Sequence, residues 1–198
     1  MSKRDCKREN RKRYYERFFD NVEYSPHEYV SYPGTMRYGW DEDGCGGLGY
    51  AVSTCPLYSV GYYDCNAVAL VSPTLGALSH HNTKLGNGET HTCDLLKEFE
   101  RRATLKETYA VLIGGERAHA EINRQVLNER KIPILGTYID DFNVENQECL
   151  ECKDVLVFPK QLEVIVRVCY SEDFQYNEDG KTFAYVSFKV GRKSRGFL

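Results

Sequence analysis

The stretch that most constrains this 198-residue chain is Asn66-Ala67-Val68-Ala69-Leu70-Val71, stopped by Ser72-Pro73. A short apolar run closed by a turn pair reads as a buried strand. Gly76-Ala77-Leu78-Ser79-His80-His81 follows at once and reads as its return partner.

Other elements are legible on both sides of the hairpin. Residues 51–78 read as extended and 81–92 as a polar loop. A helix is expected with Asp94 as its N-cap and Leu95, Leu96 and Phe99 as its apolar stripe. Residues 109–113 form a buried strand stopped by Gly114-Gly115. A second helix spans about 116–130 with Ile122, Val126 and Leu127 inward, and 132–135 opens another extended segment. Strands are expected at 162–169 and 183–190. In the latter, Ala184, Val186, Phe188 and Val190 share one face and Tyr185, Ser187 and Lys189 the other. Asp179-Gly180 supplies a turn before it, and the basic tail after Gly191 reads as loose. Strands and two helices in mixed order predict an α+β domain, with layered mixed β-sheets flanked by helices.

The expected organisation is an N-terminal segment, 1–40, packing on a domain of 41–198. In that segment Lys3, Arg4, Lys7, Arg8, Arg11, Lys12, Arg13 and Arg17 precede or interleave with Tyr14, Tyr15, Phe18 and Phe19. This reads as a helix with a charged half and an aromatic half that docks on the domain. The Gly-rich run 44–49 has neither the Lys-Ser/Thr nor the amphipathic helix of a phosphate loop, so it reads as turns.

Composition narrows the function classes. Hydrophobic residues at 41% and charged residues at 28% are a globular balance. The net charge of -3 argues against nucleic-acid binding by the whole molecule. No apolar run is long enough for a signal peptide or a membrane span. A cytoplasmic location follows as the expectation, where the eight cysteines stay reduced and serve packing, metal binding or catalysis.

Cys149 and Cys152 form a CxxC, which supplies two of the four ligands tetrahedral zinc wants. The spacings of Cys45, Cys55, His91 and Cys93 complete no zinc pattern, so no metal is expected. His119 reads as a packed or solvated helix residue, His27 has no evident partner, and Asp140-Asp141 read as solvated acids.

Cys65 stands where a tight turn enters the first strand of the hairpin, and His80 and His81 end the second. Hairpin strands bring such ends side by side. A Cys–His pair so placed suits thiolate catalysis, the imidazole taking the thiol proton and later giving one to a leaving group. Successive strand residues face opposite sides, so only one histidine can meet Cys65. Residue chemistry alone does not choose between them, nor between catalysis and a cysteine that merely packs.

The window 51–135 resembles the CheD family of chemoreceptor glutamine deamidases. Ser59 stands six residues before Cys65, as the family's Thr does. Ser72-Pro73 matches an Asp-Pro turn, and Gly76-Ala77-Leu78-Ser79-His80 matches the family's glycine step and catalytic histidine. The strand ending in Gly114-Gly115, the following helix, and Lys131-Ile132-Pro133-Ile134 match later family segments. Tyr63-Asp64 stands where the family has Gly-Ser. The helix directly after Gly115 is similar instead to N-terminal asparagine amidohydrolases. The wider group also resembles the catalytic domain of cytotoxic necrotizing factors.

The resemblance implies a CheD-like cysteine hydrolase fold and a deamidase acting on a protein glutamine or asparagine through a thioester. It assigns Cys65 as nucleophile, His80 as acid and base, and Ser59 as the group that orients the imidazole. His81, Asn82 and Asp64 fall on the substrate side, with the N–H groups of Cys65 and Asp64 as oxyanion donors. No cofactor is implied. The implied partners are a protein substrate, either a receptor-like helix or a protein N-terminus, and a regulatory protein. A binding module that kept the fold and lost the chemistry is the second expectation, and a cysteine protease the third.

Overall fold

The computed structural model describes residues 28–30, 37–39, 49–62, 65–81, 88–115, 117–139, 150–171, 181–192 and 195–197. The basic and aromatic cluster of the N-terminal segment, the Gly-rich run 44–48, Asp64, Asn82, Asp140-Asp141 and Cys149 lie outside them. So does the turn at Asp179-Gly180.

The described residues form an α+β layered fold of two helices and two five-stranded sheets, with a separate two-stranded pair. In chain order the strands are β1 (Glu28–Val30), β2 (Arg37–Gly39), β3 (Gly49–Ser53), β4 (Leu57–Tyr62), β5 (Ala67–Val71) and β6 (Gly76–His80). They continue with β7 (Tyr109–Ile113), β8 (Ile134–Tyr138), β9 (Leu150–Phe158), β10 (Glu163–Ser171), β11 (Lys181–Lys189) and β12 (Arg195–Phe197). The helices are α1 (Gly88–Glu100) and α2 (Arg117–Glu129). One sheet runs β3-β6-β5-β7-β8 and the other β12-β11-β10-β9-β4, while β1 pairs with β2.

The hairpin β5–β6 sits at the centre of the first sheet, and every residue of both strands is buried. The reason is that the sheet is covered on both faces. One face packs Ala67, Ala69, Val71, Leu78, Val111 and Ile113 against Leu57, Val155, Val157, Val164, Val166 and Phe188 of the second sheet. The other packs Val68, Leu70, Ala77, Ala110 and Leu112 against Leu95, Leu96 and Phe99 of α1 and Val126 and Leu127 of α2. The order is therefore sheet, sheet, helices. Each fully buried aliphatic or aromatic side chain contributes roughly 1.5–3 kcal/mol of transfer free energy, so these two clusters supply most of the favourable term. β7 and β8 are parallel, joined by α2 as the crossover.

Four local expectations need correcting, one of them the tail after Gly191, which holds β12 paired to Tyr185–Ser187 of β11 rather than running loose. The first helix begins at Gly88 rather than at Asp94, which sits inside it and bonds Lys97 at 2.9 Å. The earlier turn is polar because it meets the second helix: Thr92 donates to Asn123 at 2.7 Å, both buried. In the second helix Ala120 and Asn123 are buried, and Ile122 only partly. In β11 the face carrying Tyr185 and Ser187 is buried as well. Two side-chain pairs on this face are bonded within the sheet. Ser187 donates to Glu163 at 2.7 Å, and on the same side of the neighbouring strands Arg167 binds Asp154 at 2.6 Å.

Candidate functional site

The site begins with register. Asn66 and His81 face each other in a hydrogen-bonded pair, N to O at 2.8 Å and 2.9 Å. Ala69 faces Leu78 and Val71 faces Gly76. Extending that register by one residue sets His80 opposite Ala67, with Cys65 its diagonal neighbour. Cys65, Ala67 and Ala69 all belong to the cluster between the sheets, as does Leu78, which shares its face with His80. Diagonal neighbours on one face lie within reach of a ring side chain. On its other side His80 faces Gly49 of β3. Alanine on one flank and glycine on the other leave room for an imidazole inside a packed sandwich.

The second sheet closes over that ring. Ser59 Oγ lies 2.9 Å from His80 Nδ1, with both residues buried. The Tyr62 ring stacks on the imidazole at 3.8 Å between centroids and 14° between planes. The Tyr62 hydroxyl donates to the Ser79 carbonyl at 2.8 Å, tying the two sheets together beside the histidine.

Residues three apart in a strand normally face opposite ways. Here Ser59 pairs with Val155 while Tyr62 pairs with Lys153, so three steps on β4 match two on β9. This β-bulge turns Tyr62 onto the face of Ser59, and both reach one imidazole. Sequence reasoning missed Tyr62. The available signal was Gly61, an isolated glycine inside a strand pattern, which marks a bulge.

The Gly114-Gly115 step packs onto the Cys65-Asn66 segment. Both have positive φ, 69° and 70°. A Cβ on Gly114 would lie 2.5 Å from the Cys65 carbonyl oxygen, and one on Gly115 would lie 2.2 Å from Asn66 Oδ1. Only glycine allows the end of β7 to come this close in this conformation.

Electrostatics follow from burial. His80 is pushed down from 6.5 to about 3, by desolvation first and by the neighbouring His81 second. At neutral pH its ring is uncharged. His81 is lowered to about 4 by burial and then by His91 and His119.

The structure brings Ser59, His80 and Cys65 to one face. It does not bring His81 there. His81 is buried on the helix side, its ring 4.5 Å from that of His91 and tilted by 37°. On that side Asn66 Nδ2 and His81 Nε2 have no hydrogen-bond partner among the described residues. Cys55 is exposed and Cys93 half-buried. The backbone of Cys152 pairs with that of Cys169 across β9 and β10. Among the described residues no three His, Cys, Asp or Glu side chains are arranged to hold a metal ion. Among them no helix is long and apolar enough to cross a membrane. No family model and no curated protein matches the sequence.

Proposed function

We propose that the chain is a cysteine-dependent deamidase that hydrolyses the side-chain carboxamide of a protein glutamine or asparagine in the cytoplasm. The observation carrying this is the 2.9 Å contact between Ser59 Oγ and His80 Nδ1, on the face that Cys65 shares. The hydroxyl holds one imidazole nitrogen and the stacked Tyr62 ring holds the ring plane, so together they fix how His80 is presented on the face that Cys65 shares.

In this mechanism the neutral His80 carries its proton on Nδ1 and donates it to Ser59 Oγ, so Nε2 is the acceptor. His80 takes the Cys65 thiol proton as sulfur attacks the carboxamide carbon. The developing oxyanion is met by backbone N–H groups at the turn before β5. The imidazolium then protonates the leaving ammonia and the C–N bond breaks, leaving a thioester. Water attacks the thioester with His80 as base, releasing the carboxylate product and the thiol. Stacking on Tyr62 favours the transient imidazolium through the ring's electron-rich face.

The CheD-like fold, a receptor helix or protein N-terminus as substrate, and a regulatory partner belong to the same proposal. The test is ammonia release together with a one-dalton gain on a glutamine- or asparagine-bearing protein. Cys65→Ala and His80→Ala are expected to abolish both, and a fully active Cys65→Ala sinks the mechanism. A folded chain that releases no ammonia yet retains a protein ligand is the outcome for a binding module.

A further inference from the structure

Lys153 is the only lysine or arginine fully buried among the described residues, with 0% exposure. Its position decides which side of the second sheet it serves. On β9 it is two residues from Val155 and four from Val157, and both point into the cluster between the sheets. Its partner on β10 is Val168, which also belongs to that cluster. Its partner on β4 is Tyr62, brought there by the bulge, and Tyr62 stacks on His80. Arg167, by contrast, lies on the opposite face with Asp154. Lys153 therefore enters the sandwich at the level of the candidate site, one strand from the imidazole.

An ammonium in such a place is costly to desolvate, and an apolar residue would pack there instead unless the charge is used. Lys153 belongs to no motif considered in the sequence, where no strand is expected over Leu150–Phe158.

We infer that Lys153 is a positioning residue for the thiolate: its buried ammonium lowers the pKa of Cys65. This rests on the reading of Cys65 as nucleophile. The need for such a charge follows from the rest of the site. A thiol beside an imidazolium is activated by ion pairing, but burial keeps the His80 ring neutral. A sulfur anion formed between two apolar sheets then needs another positive neighbour. In the surrounding cluster, β4 offers Tyr62, β6 offers His80, and Tyr109 and Tyr138 stand at the ends of β7 and β8. β5 and β10 present Ala67, Ala69, Val166 and Val168. Among the described groups packed there, Lys153 is the one lysine or arginine.

The experiment is iodoacetamide alkylation of the full chain as a function of pH. Labelling at Cys65 is read by peptide mass spectrometry, so that the other cysteines do not interfere. Lys153→Met is expected to raise the inflection by about one unit or more, and Lys153→Arg to stay near wild type. The inflection decides rather than the rate. A one-unit rise cuts thiolate about tenfold but strengthens each thiolate roughly threefold, so the rate near neutrality falls only about threefold. An unchanged inflection in folded Lys153→Met overturns the inference.

Should that variant not fold, wild type and Cys65→Ser are compared by lysine side-chain carbon NMR. The Lys153 signal is expected to follow the Cys65 titration in wild type and to lose that step in Cys65→Ser. Identical titrations overturn the inference equally. An inflection that moves in a protein releasing no ammonia keeps the role of Lys153 and removes the deamidase reading. Ammonia release with an unmoved inflection does the reverse.

Discussion

Acid should unfold this protein through its buried histidines, and His80 allows the size to be worked out. In the unfolded chain a histidine titrates near 6.5, whereas in the fold His80 titrates near 3. Between those values the unfolded state binds a proton that the folded state refuses. Stability therefore rises with pH through this window and falls as pH is lowered. From neutrality to about pH 4.5 the path crosses two pH units of mismatch at about 1.4 kcal/mol each, a loss on the order of 3 kcal/mol. His81, lowered to about 4, acts in the same direction. The assay is urea unfolding at about pH 7.5 and about pH 4.5, for wild type and His80→Gln. Glutamine stays neutral, so its variant should lose about 3 kcal/mol less over the interval, whatever its starting stability. Carboxylates and His81 are common to both proteins and cancel to first order. Equal acid losses in the two proteins would refute the reasoning, because His80 would then be accepting its proton in the folded state.

Further outcomes are expected at Ser59, Gly114, Gly191 and Tyr62. Ser59→Ala leaves a buried imidazole nitrogen without its hydroxyl and should cost about 1–3 kcal/mol in urea unfolding. Ser59→Thr, which keeps the oxygen, should retain more activity than Ser59→Ala when ammonia release is measured. Gly114→Ala should cost well over 2 kcal/mol by thermal melting, combining a positive φ with a 2.5 Å clash on the Cys65 carbonyl. Gly191→Ala, at φ +74° with nothing within 4 Å, should cost only about 1 kcal/mol and serves as the control for φ alone. Tyr62→Phe keeps the stack on His80 and loses only the bond to the Ser79 carbonyl, so it should cost about 1 kcal/mol. Tyr62→Leu should also slow ammonia release, because it removes the ring face that receives the imidazolium.

The contrast between β5–β6 and β4 shows how far the sequence could be read. The hairpin was legible because its information is local: an apolar run, a Ser-Pro turn, and a return run whose register a tight turn imposes. The same register places Cys65 and His80 on one face and His81 on the other. The start of α1 was not legible, because Thr92 is helical on account of Asn123, thirty-one residues away. The buried polar face of β11 was not legible either, since alternation cannot tell a face wet by solvent from one satisfied by Glu163.

β4 lies between these cases. Its role depends on a bulge, which is one glycine in sequence but a reversal of facing in space. Without the bulge, Ser59 would still reach His80, but Tyr62 would point to the outer face and take its stack with it. The cross-strand partner of Tyr62 would change too, and with it the reason for a buried lysine at 153. A chain that reserves a bulge, two flanking small residues and a fully buried cation for the surroundings of one imidazole has given up apolar packing at several adjacent positions. Core stability alone does not require that concession. The proposed chemistry, in which the Cys65 thiol is ionised inside the sandwich, accounts for it.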